Sequence, residues 1–228
     1  MKRMFLSCAF VLLAALPAWA QITVSGEGTV SAVPDMATVV LAVVTEDAQA
    51  MTALDANSAT MGKLIKSLEA LGVTKKELRT NMFHVSPKYV YAKDQEPRLV
   101  GYTVSNSLTV TICQTDTLGK VLDSAVRNGA NRVESMSWGF KDPQKLLDTA
   151  RTTAVLDAKR KATLMANTAG STLGTLVSIS ENSYQPRYNV SYAARASADS
   201  APNVPVEAGT QTLRVTVNVV WQVGPPLK

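Results

Sequence analysis

Histidine is almost absent from this sequence, and its scarcity excludes several kinds of site. The 228 residues contain one histidine, His84. A Ser-His-Asp triad would have to use it, yet no recognisable nucleophile motif occurs elsewhere in the chain. A zinc site is also not indicated, because His84 and Cys113 do not belong to a cluster of residues with the spacing of zinc ligands. We therefore predict no catalytic, cofactor-binding or metal-ligating residues, no cofactor, and a protein that is not an enzyme.

Long apolar runs are also missing, apart from a short one near the N-terminus. Residues 5–16 are mostly apolar, but a bilayer-spanning helix needs about 20 such residues. The run follows a basic head and precedes Pro17 and the small-x-small sequence Ala18-Trp19-Ala20. This pattern is typical of a secretory signal peptide over residues 1–20, with cleavage before Gln21. We expect an exported protein whose mature chain has no transmembrane segment.

Cysteine becomes even scarcer if the signal peptide is removed, because Cys8 leaves with it and only Cys113 remains. No intrachain disulfide can then form. No Lys, Arg or His lies within four residues of Cys113 to lower its thiol pKa, which favours a buried and inert side chain. An intermolecular bridge and a reactive thiol are the two alternatives.

Charge is modest and gives little indication of a nucleic-acid partner. The formal charge of +5 includes Lys2 and Arg3, so the mature chain carries +3. The basic residues are spread along predicted helices, and the best run, Lys159-Arg160-Lys161, follows Asp157. Such a run is typical of a solvated, partly paired helix face. We therefore expect no nucleic acid among the partners.

The hydrophobic pattern predicts an α+β fold with largely antiparallel sheets and packed helices. The predicted order of elements is ββαββαβαββ. The predicted strands cover about 22–32, 36–45, 83–91, 100–112, 136–140, 173–179 and 213–223, and the helices about 48–71, 118–126 and 143–169. We interpret residues 21–228 as a single domain, with two intimately associated α/β subdomains over about 22–113 and 116–223.

Three local patterns have both a packing and a functional interpretation. Alanines from Ala150 to Ala169 recur every three or four residues, which lets a sheet or another helix approach closely, although alanine also simply favours helix. Gly26-Glu27-Gly28 lacks the third glycine of a dinucleotide fingerprint, and indicates bulges or close contact with a neighbouring chain. Met51, Met61 and Met165 are candidate oxidant scavengers, but their helix positions favour core packing.

Residues 183–209 differ in kind, because Tyr, Ser, Ala, Pro and Asn dominate and aliphatic periodicity is lost. We interpret this segment as a long, exposed, flexible loop between two strands. Loops of this length are usually functional or disordered.

Several short sequences, in order along nearly all of residues 22–223, resemble the SIMPL-domain family, the YggE-like exported proteins, and within it the bacterial periplasmic immunogenic proteins. They are Val24-Ser25-Gly26-Glu27-Gly28, Pro34-Asp35-Met36-Ala37, Gly101-Tyr102, Asn106, Asn128-Gly129-Ala130-Asn131, Ala158, Lys161-Ala162 and Val204-Pro205-Val206-Glu207-Ala208-Gly209. No single one is specific, but their order and spacing together carry the resemblance.

The resemblance implies a periplasmic protein, with outer-membrane association as a further expectation, that contributes to oxidative-stress tolerance. It also implies a homo-oligomer, ring-like or channel-like in at least one member, and it supplies no catalytic residues to carry over. We therefore expect a non-enzymatic, self-assembling cell-envelope protein. The alternative is a periplasmic small-molecule binder, or an enzyme with an unrecognised site at a subunit interface.

Overall fold

The computed structural model describes residues 20–181 and 206–226, so the predicted signal peptide and most of the loop at 183–209 lie outside the described residues. Seven strands and three helices follow the predicted order, which confirms the α+β class with antiparallel sheets. The elements are β1 Gln21–Ala32, β2 Met36–Asp47, α1 Ala50–Ala70, β3 Leu78–Val90, β4 Arg98–Ile112, α2 Leu118–Arg127, β5 Arg132–Gly139, α3 Gln144–Thr168, β6 Ser171–Glu181 and β7 Gln211–Pro226.

The elements form two compact units whose boundaries differ from the subdomains expected from the sequence. Unit 1 contains described residues 20–30, 147–181 and 214–226, and unit 2 contains 31–146 and 206–213. Each unit is therefore assembled from separated stretches of chain. The physical reason is that the first strand pairs with the last one, which a division into N-terminal and C-terminal halves does not allow.

Unit 1 consists of a three-stranded sheet, in the order β1-β7-β6, and helix α3. β6 and β7 are antiparallel, and the hydroxyl of Ser25 on β1 donates to the Oδ1 of Asn218 on β7 at 2.5 Å. The buried face of α3 is the predicted alanine stripe. Because alanine side chains are small, the backbone of α3 can approach the sheet closely. Its buried residues are Leu147, Ala150, Ala154, Ala158, Ala162 and Ala166.

Gly26 and Gly28 on β1 are the counterpart of that stripe. A Cβ on Gly26 would collide with the carbonyl oxygen of Ala154 and lie 2.6 Å from the Cβ of Ala158. A Cβ on Gly28 would collide with the carbonyl oxygen of Ala150. The prediction that these glycines contact a neighbouring chain is therefore wrong, because their close contact is with α3 of the same chain.

Unit 2 consists of a four-stranded antiparallel sheet, in the order β3-β4-β2-β5, with α1 and α2. Its core is built from aliphatic side chains of β2, β4 and the two helices. The large residues that are almost fully buried include Val39, Leu41, Val43, Leu64, Leu68, Val110, Leu118 and Val121. Val206, at the end of the predicted loop, packs against this core.

One buried polar residue, Asn57, lies within the contact between α1 and the sheet. Its Nδ2 donates to the carbonyl oxygens of Val43 on β2, at 2.8 Å, and Val104 on β4, at 3.2 Å. The Oδ1 atoms of Asn57 and Asn106 are buried with no protein partner in the described part of the chain. Because Asn57 bonds carbonyls of two neighbouring strands, it fixes the position of α1 on the sheet.

Short-range features mark the start of α3 and the ends of α2 and α3. The Asp142 carboxylate accepts a hydrogen bond from the N–H of Gln144, the first residue of α3, at 3.1 Å. Gly129 and Gly170 follow α2 and α3 with positive φ angles of 106° and 75°, a conformation that glycine adopts readily. These residues fix where α3 begins and where α2 and α3 end.

Candidate interaction surface

The hairpin of β3 and β4 carries the most conspicuous apolar surface of unit 2. Nearly every residue of β3 is exposed, and β4 pairs with only one of its edges. Phe83 is 51% exposed and Tyr91 is 76% exposed. Large apolar side chains exposed on the hairpin are Met82, Phe83, Val85, Tyr89, Val90, Tyr91 and Leu99. We call this set the hairpin patch.

Part of the hairpin patch lies on the side of the sheet that α1 should protect. Phe83 is directly opposite Asn106 and Val85 is directly opposite the fully buried Val104, and directly opposite residues share a face. α1 packs mainly on β2 and β4 and barely reaches β3. Two large apolar side chains are therefore left uncovered beside the helix.

The other face of the hairpin carries Met82, opposite Ser107, together with polar groups. The Nζ of Lys88 donates to the Glu46 carboxylate at 2.5 Å, and the Thr103 hydroxyl donates to the same group at 3.3 Å. The hydrogen bond from Lys88, together with its charge, holds the pKa of the Glu46 carboxyl below its usual range. Exposed ion pairs contribute little to stability. The pair of Lys88 and Glu46 therefore adds little to the attachment of β3 to the sheet.

His84 is exposed on β3 opposite Ser105, and no carboxylate or nucleophile bonds to it in the described residues. The described residues also contain no group of three or more His, Cys, Asp or Glu side chains that could hold a metal ion. The predicted lack of catalytic and metal-ligating residues stays a prediction for the chain as a whole.

Cys113 follows β4 and is half-buried beside Glu77. The Glu77 carboxylate also accepts hydrogen bonds from the N–H and hydroxyl of Thr74, at 2.7 and 2.9 Å, in a capping box. A hydrogen bond to Glu77, with burial as the second cause, raises the pKa of the Cys113 thiol. The thiol is thereby kept protonated, which favours the inert interpretation.

A cluster of charged groups ties β1 to α3 in unit 1. The Asp157 carboxylate pairs with Lys161 at 2.6 Å and Arg160 at 2.8 Å, and accepts from the N–H of Glu27 at 3.1 Å. These three contacts, the one with Lys161 first, hold the pKa of the Asp157 carboxyl well below its usual range. Lys161 also donates to the carbonyl oxygen of Ser25 at 3.0 Å. The cluster is a structural clamp, and it leaves no free acid for chemistry.

The outer side of α3 bears a shallow groove of about 480 Å³. Its lining residues are Leu156, Lys159, Arg160, Thr163, Leu164 and Asn167. The lining includes no carboxylate, imidazole or thiol, so these residues form no acid–base pair. No helix in the described residues is long and apolar enough to cross a membrane.

The methionine predictions have a mixed outcome. Met61 is buried in the core of unit 2, as the packing interpretation requires, but Met51 is 65% exposed and Met165 is half exposed. Met82 and Met136, on β3 and β5, are also exposed. Met51 and Met165 lie outside the buried faces of α1 and α3, so their position on a helix did not place them in the core.

The chain matches the family model SIMPL, described as a protein of unknown function (DUF541), over residues 22–221. This chain therefore belongs to the SIMPL family, as its short motifs indicated.

Curated relatives extend the match over most of the chain. It is 34% identical over 212 residues to the 26 kDa periplasmic immunogenic protein of Brucella melitensis biotype 1, covering 90% of this chain and 85% of that protein. It is 30% identical over 212 residues to the uncharacterized protein YggE of Escherichia coli K12, covering 92% of this chain and 86% of that protein. None of these descriptions names an enzymatic activity.

Proposed function

We propose that this chain is a non-enzymatic periplasmic protein that self-assembles and contributes to oxidative-stress tolerance of the cell envelope. The periplasmic location is supported by the name of the Brucella relative and by the signal-peptide pattern of residues 1–20. The stress role rests on the family resemblance. Ring-like closure and outer-membrane association stay predictions, as does the alternative of a small-molecule or catalytic site between subunits.

The hairpin patch is the observation that carries self-assembly. Soluble monomers rarely expose large contiguous apolar surfaces, and such surfaces commonly mark interaction sites. Here the apolar side chains lie on an edge strand, whose unpaired N–H and C=O groups are a template for another strand. Together these features favour a protein partner that covers β3.

Light scattering coupled to size exclusion tests self-assembly directly. We expect the mature chain, beginning at Gln21, to elute at a multiple of its monomer mass at micromolar concentration and physiological salt. A monomer mass across the salt range would overturn the proposal. Mass spectrometry of protein from the envelope fraction should find Gln21 at the N-terminus, and an intact Met1 there would contradict export with cleavage.

The exposed methionines favour a second candidate function, the scavenging of oxidants. Hydrogen peroxide transfers one oxygen atom to a thioether, giving a sulfoxide and water. Met51, Met82, Met136 and Met165 are accessible to it, whereas Met61 is buried. Such a reaction consumes peroxide without a catalytic site, which fits the scarcity of histidine and cysteine.

Substitution of the exposed methionines tests this second candidate. A variant with leucine at positions 51, 82, 136 and 165 should lose protection of cells against peroxide, whereas Met61→Leu should keep it. Peptide mapping after peroxide treatment should find sulfoxide at the four exposed positions before Met61. Full protection by the fourfold variant would exclude methionine scavenging and leave assembly as the explanation.

A further inference from the structure

The described residues contain four free sheet edges, formed by β1 and β6 in unit 1 and by β3 and β5 in unit 2. Proteins usually protect such edges with charges, proline or a covering element. The clamp and Glu27 protect β1, and Arg132 and Glu134 lie on β5. β3 carries Arg79, Lys88 and one proline, Pro87, which removes a single backbone donor. β6 has neither a charged residue nor a proline from Ser171 to Ser180. It is the least protected of the four.

β6 is also bare on the side of its sheet that faces α3. Leu176 and Ile179 are directly opposite Trp221 and Val219 of β7, which are buried. Leu176 is nevertheless 55% exposed and Ile179 is 48% exposed, because α3 makes its close contact over β1. Neighbouring Val177 is exposed as well. An edge of this kind offers unpaired backbone groups and uncovered apolar side chains together.

β3 has the same two properties in unit 2, since Phe83 and Val85 are uncovered beside α1 on an edge strand. The two edges differ in charge. β3 carries Arg79 and Lys88, whereas the one charged group of β6 is the carboxylate of Glu181 at its end, which is paired with Arg151 of α3 at 2.9 Å. Pairing β3 with another β3 would bring basic side chains together, whereas pairing β3 with β6 would not.

We propose that the β6 edge of one copy pairs with the β3 edge of a second copy, with the helix sides of the two sheets aligned. This inference rests on the proposed self-assembly and specifies its contact. Leu176 and Ile179 then pack against Phe83 and Val85 across the new strand pair. The contact is heterologous, since it joins two different surfaces. The first copy keeps its β3 edge and the second copy keeps its β6 edge for further neighbours.

Two blocking variants test the pairing, because an inward-facing charge disfavours edge association. Ile179→Lys should block the β6 edge and Phe83→Lys the β3 edge, and each should give a monomer in light scattering. Leu156→Lys is the matched control: Leu156 is equally apolar and 61% exposed, but it lies on α3 away from any edge. It should keep the wild-type mass.

A mixture of the two blocking variants gives the sharpest result. The intact β6 edge of Phe83→Lys should pair with the intact β3 edge of Ile179→Lys, and the mixture should form a one-to-one dimer that neither variant forms alone. A mixture that stays monomeric overturns the pairing. Wild-type mass in either variant also overturns it, whereas a monomeric wild type overturns self-assembly itself.

Cross-linking keeps the proposal testable if a lysine variant fails to fold. In a Cys113→Ser background, Ser178→Cys on β6 and Ser86→Cys on β3 are conservative single replacements. A short bis-maleimide should link the two variants to each other on mixing, and should link neither to itself. Self-linkage of Ser178→Cys would instead indicate pairing of β6 with β6, and would overturn the inference.

Discussion

Unit 1 and unit 2 both pack a long helix on an antiparallel sheet, but they do so with opposite means. α3 approaches β1 through alanines and glycines, so that backbone meets backbone. α1 rests on its sheet through large aliphatic side chains, with Asn57 as a single polar tie. The stability of unit 1 should therefore decrease when atoms are added at the contact of α3 with β1. The stability of unit 2 should decrease when atoms are removed from its buried side chains.

Removing a side chain from unit 2 should have the largest effect. Leu64 on α1 is fully buried, and we expect Leu64→Ala to destabilise the protein by about 2–5 kcal/mol because it leaves a cavity. Urea denaturation measures the loss. Leu71→Ala, at an exposed position after the same helix, should change stability by no more than about 0.5 kcal/mol. Equal losses would contradict the contrast between the two sites.

Adding a single methyl group should lower the stability when it is added in unit 1 and raise it when it is added in unit 2. Gly28→Ala should cost about 1–3 kcal/mol, because the new Cβ meets the backbone of α3 and that backbone has to move. Gly62 lies within α1 with nothing within 4 Å of an added Cβ. Gly62→Ala should stabilise by about 0.5–1 kcal/mol through its better helix propensity. Destabilisation by both would show that α1 is also packed backbone to backbone.

Acid should weaken unit 1 through the clamp. The lowered pKa of Asp157 means that its contribution is fully present above the unfolded-state pKa of about 3.9 and is lost as pH falls below it. Asp157→Asn should therefore flatten the decrease in the urea midpoint between pH 5 and pH 2. Asp116→Asn, at an exposed carboxyl in unit 2, should leave that decrease unchanged. The same decrease in all three proteins would show that the clamp does not respond to pH.

The smallest effect concerns Cys113, where we expect a change in the rate of thiol labelling rather than in stability. Because Glu77 raises the thiol pKa, iodoacetamide should label Cys113 more slowly at pH 8 than it labels free cysteine. Glu77→Gln removes that carboxylate and should accelerate labelling. Lys75→Gln, in the same short turn, should leave the rate as in the wild type. Fast labelling of the wild type would reinstate the reactive-thiol alternative.

Local features of the fold were predictable because their causes are local in the sequence. The Asp142-Pro143 helix start, the Thr74–Glu77 capping box and the alternation of β7 all have short-range signals, and all three are present. The division into units was not predictable, since the pairing of β1 with β7 joins residues almost 200 positions apart. The hydrophobic periodicity of β1 does not indicate which distant strand pairs with it.

The candidate surface was harder to predict than the fold. The alternation of β3 and β6 identifies which side chains share a face, but not that α1 and α3 stop short of Phe83 and Leu176. Coverage depends on where a helix lies on its sheet. In this protein that position follows from Asn57 and the β1 glycines, whose partners are distant in sequence.

The pairing of β1 with β7 also determines when β1 can find its partner during synthesis of the chain. The chain is synthesised from its N-terminus, so β1 is made first and its only strand partner in the described residues is made last. Most of unit 2, by contrast, is one uninterrupted stretch that can collapse as soon as β5 has emerged. A nascent chain therefore carries an unpaired first strand until β7 has been made. A chain truncated before β7 would present β1 to other molecules.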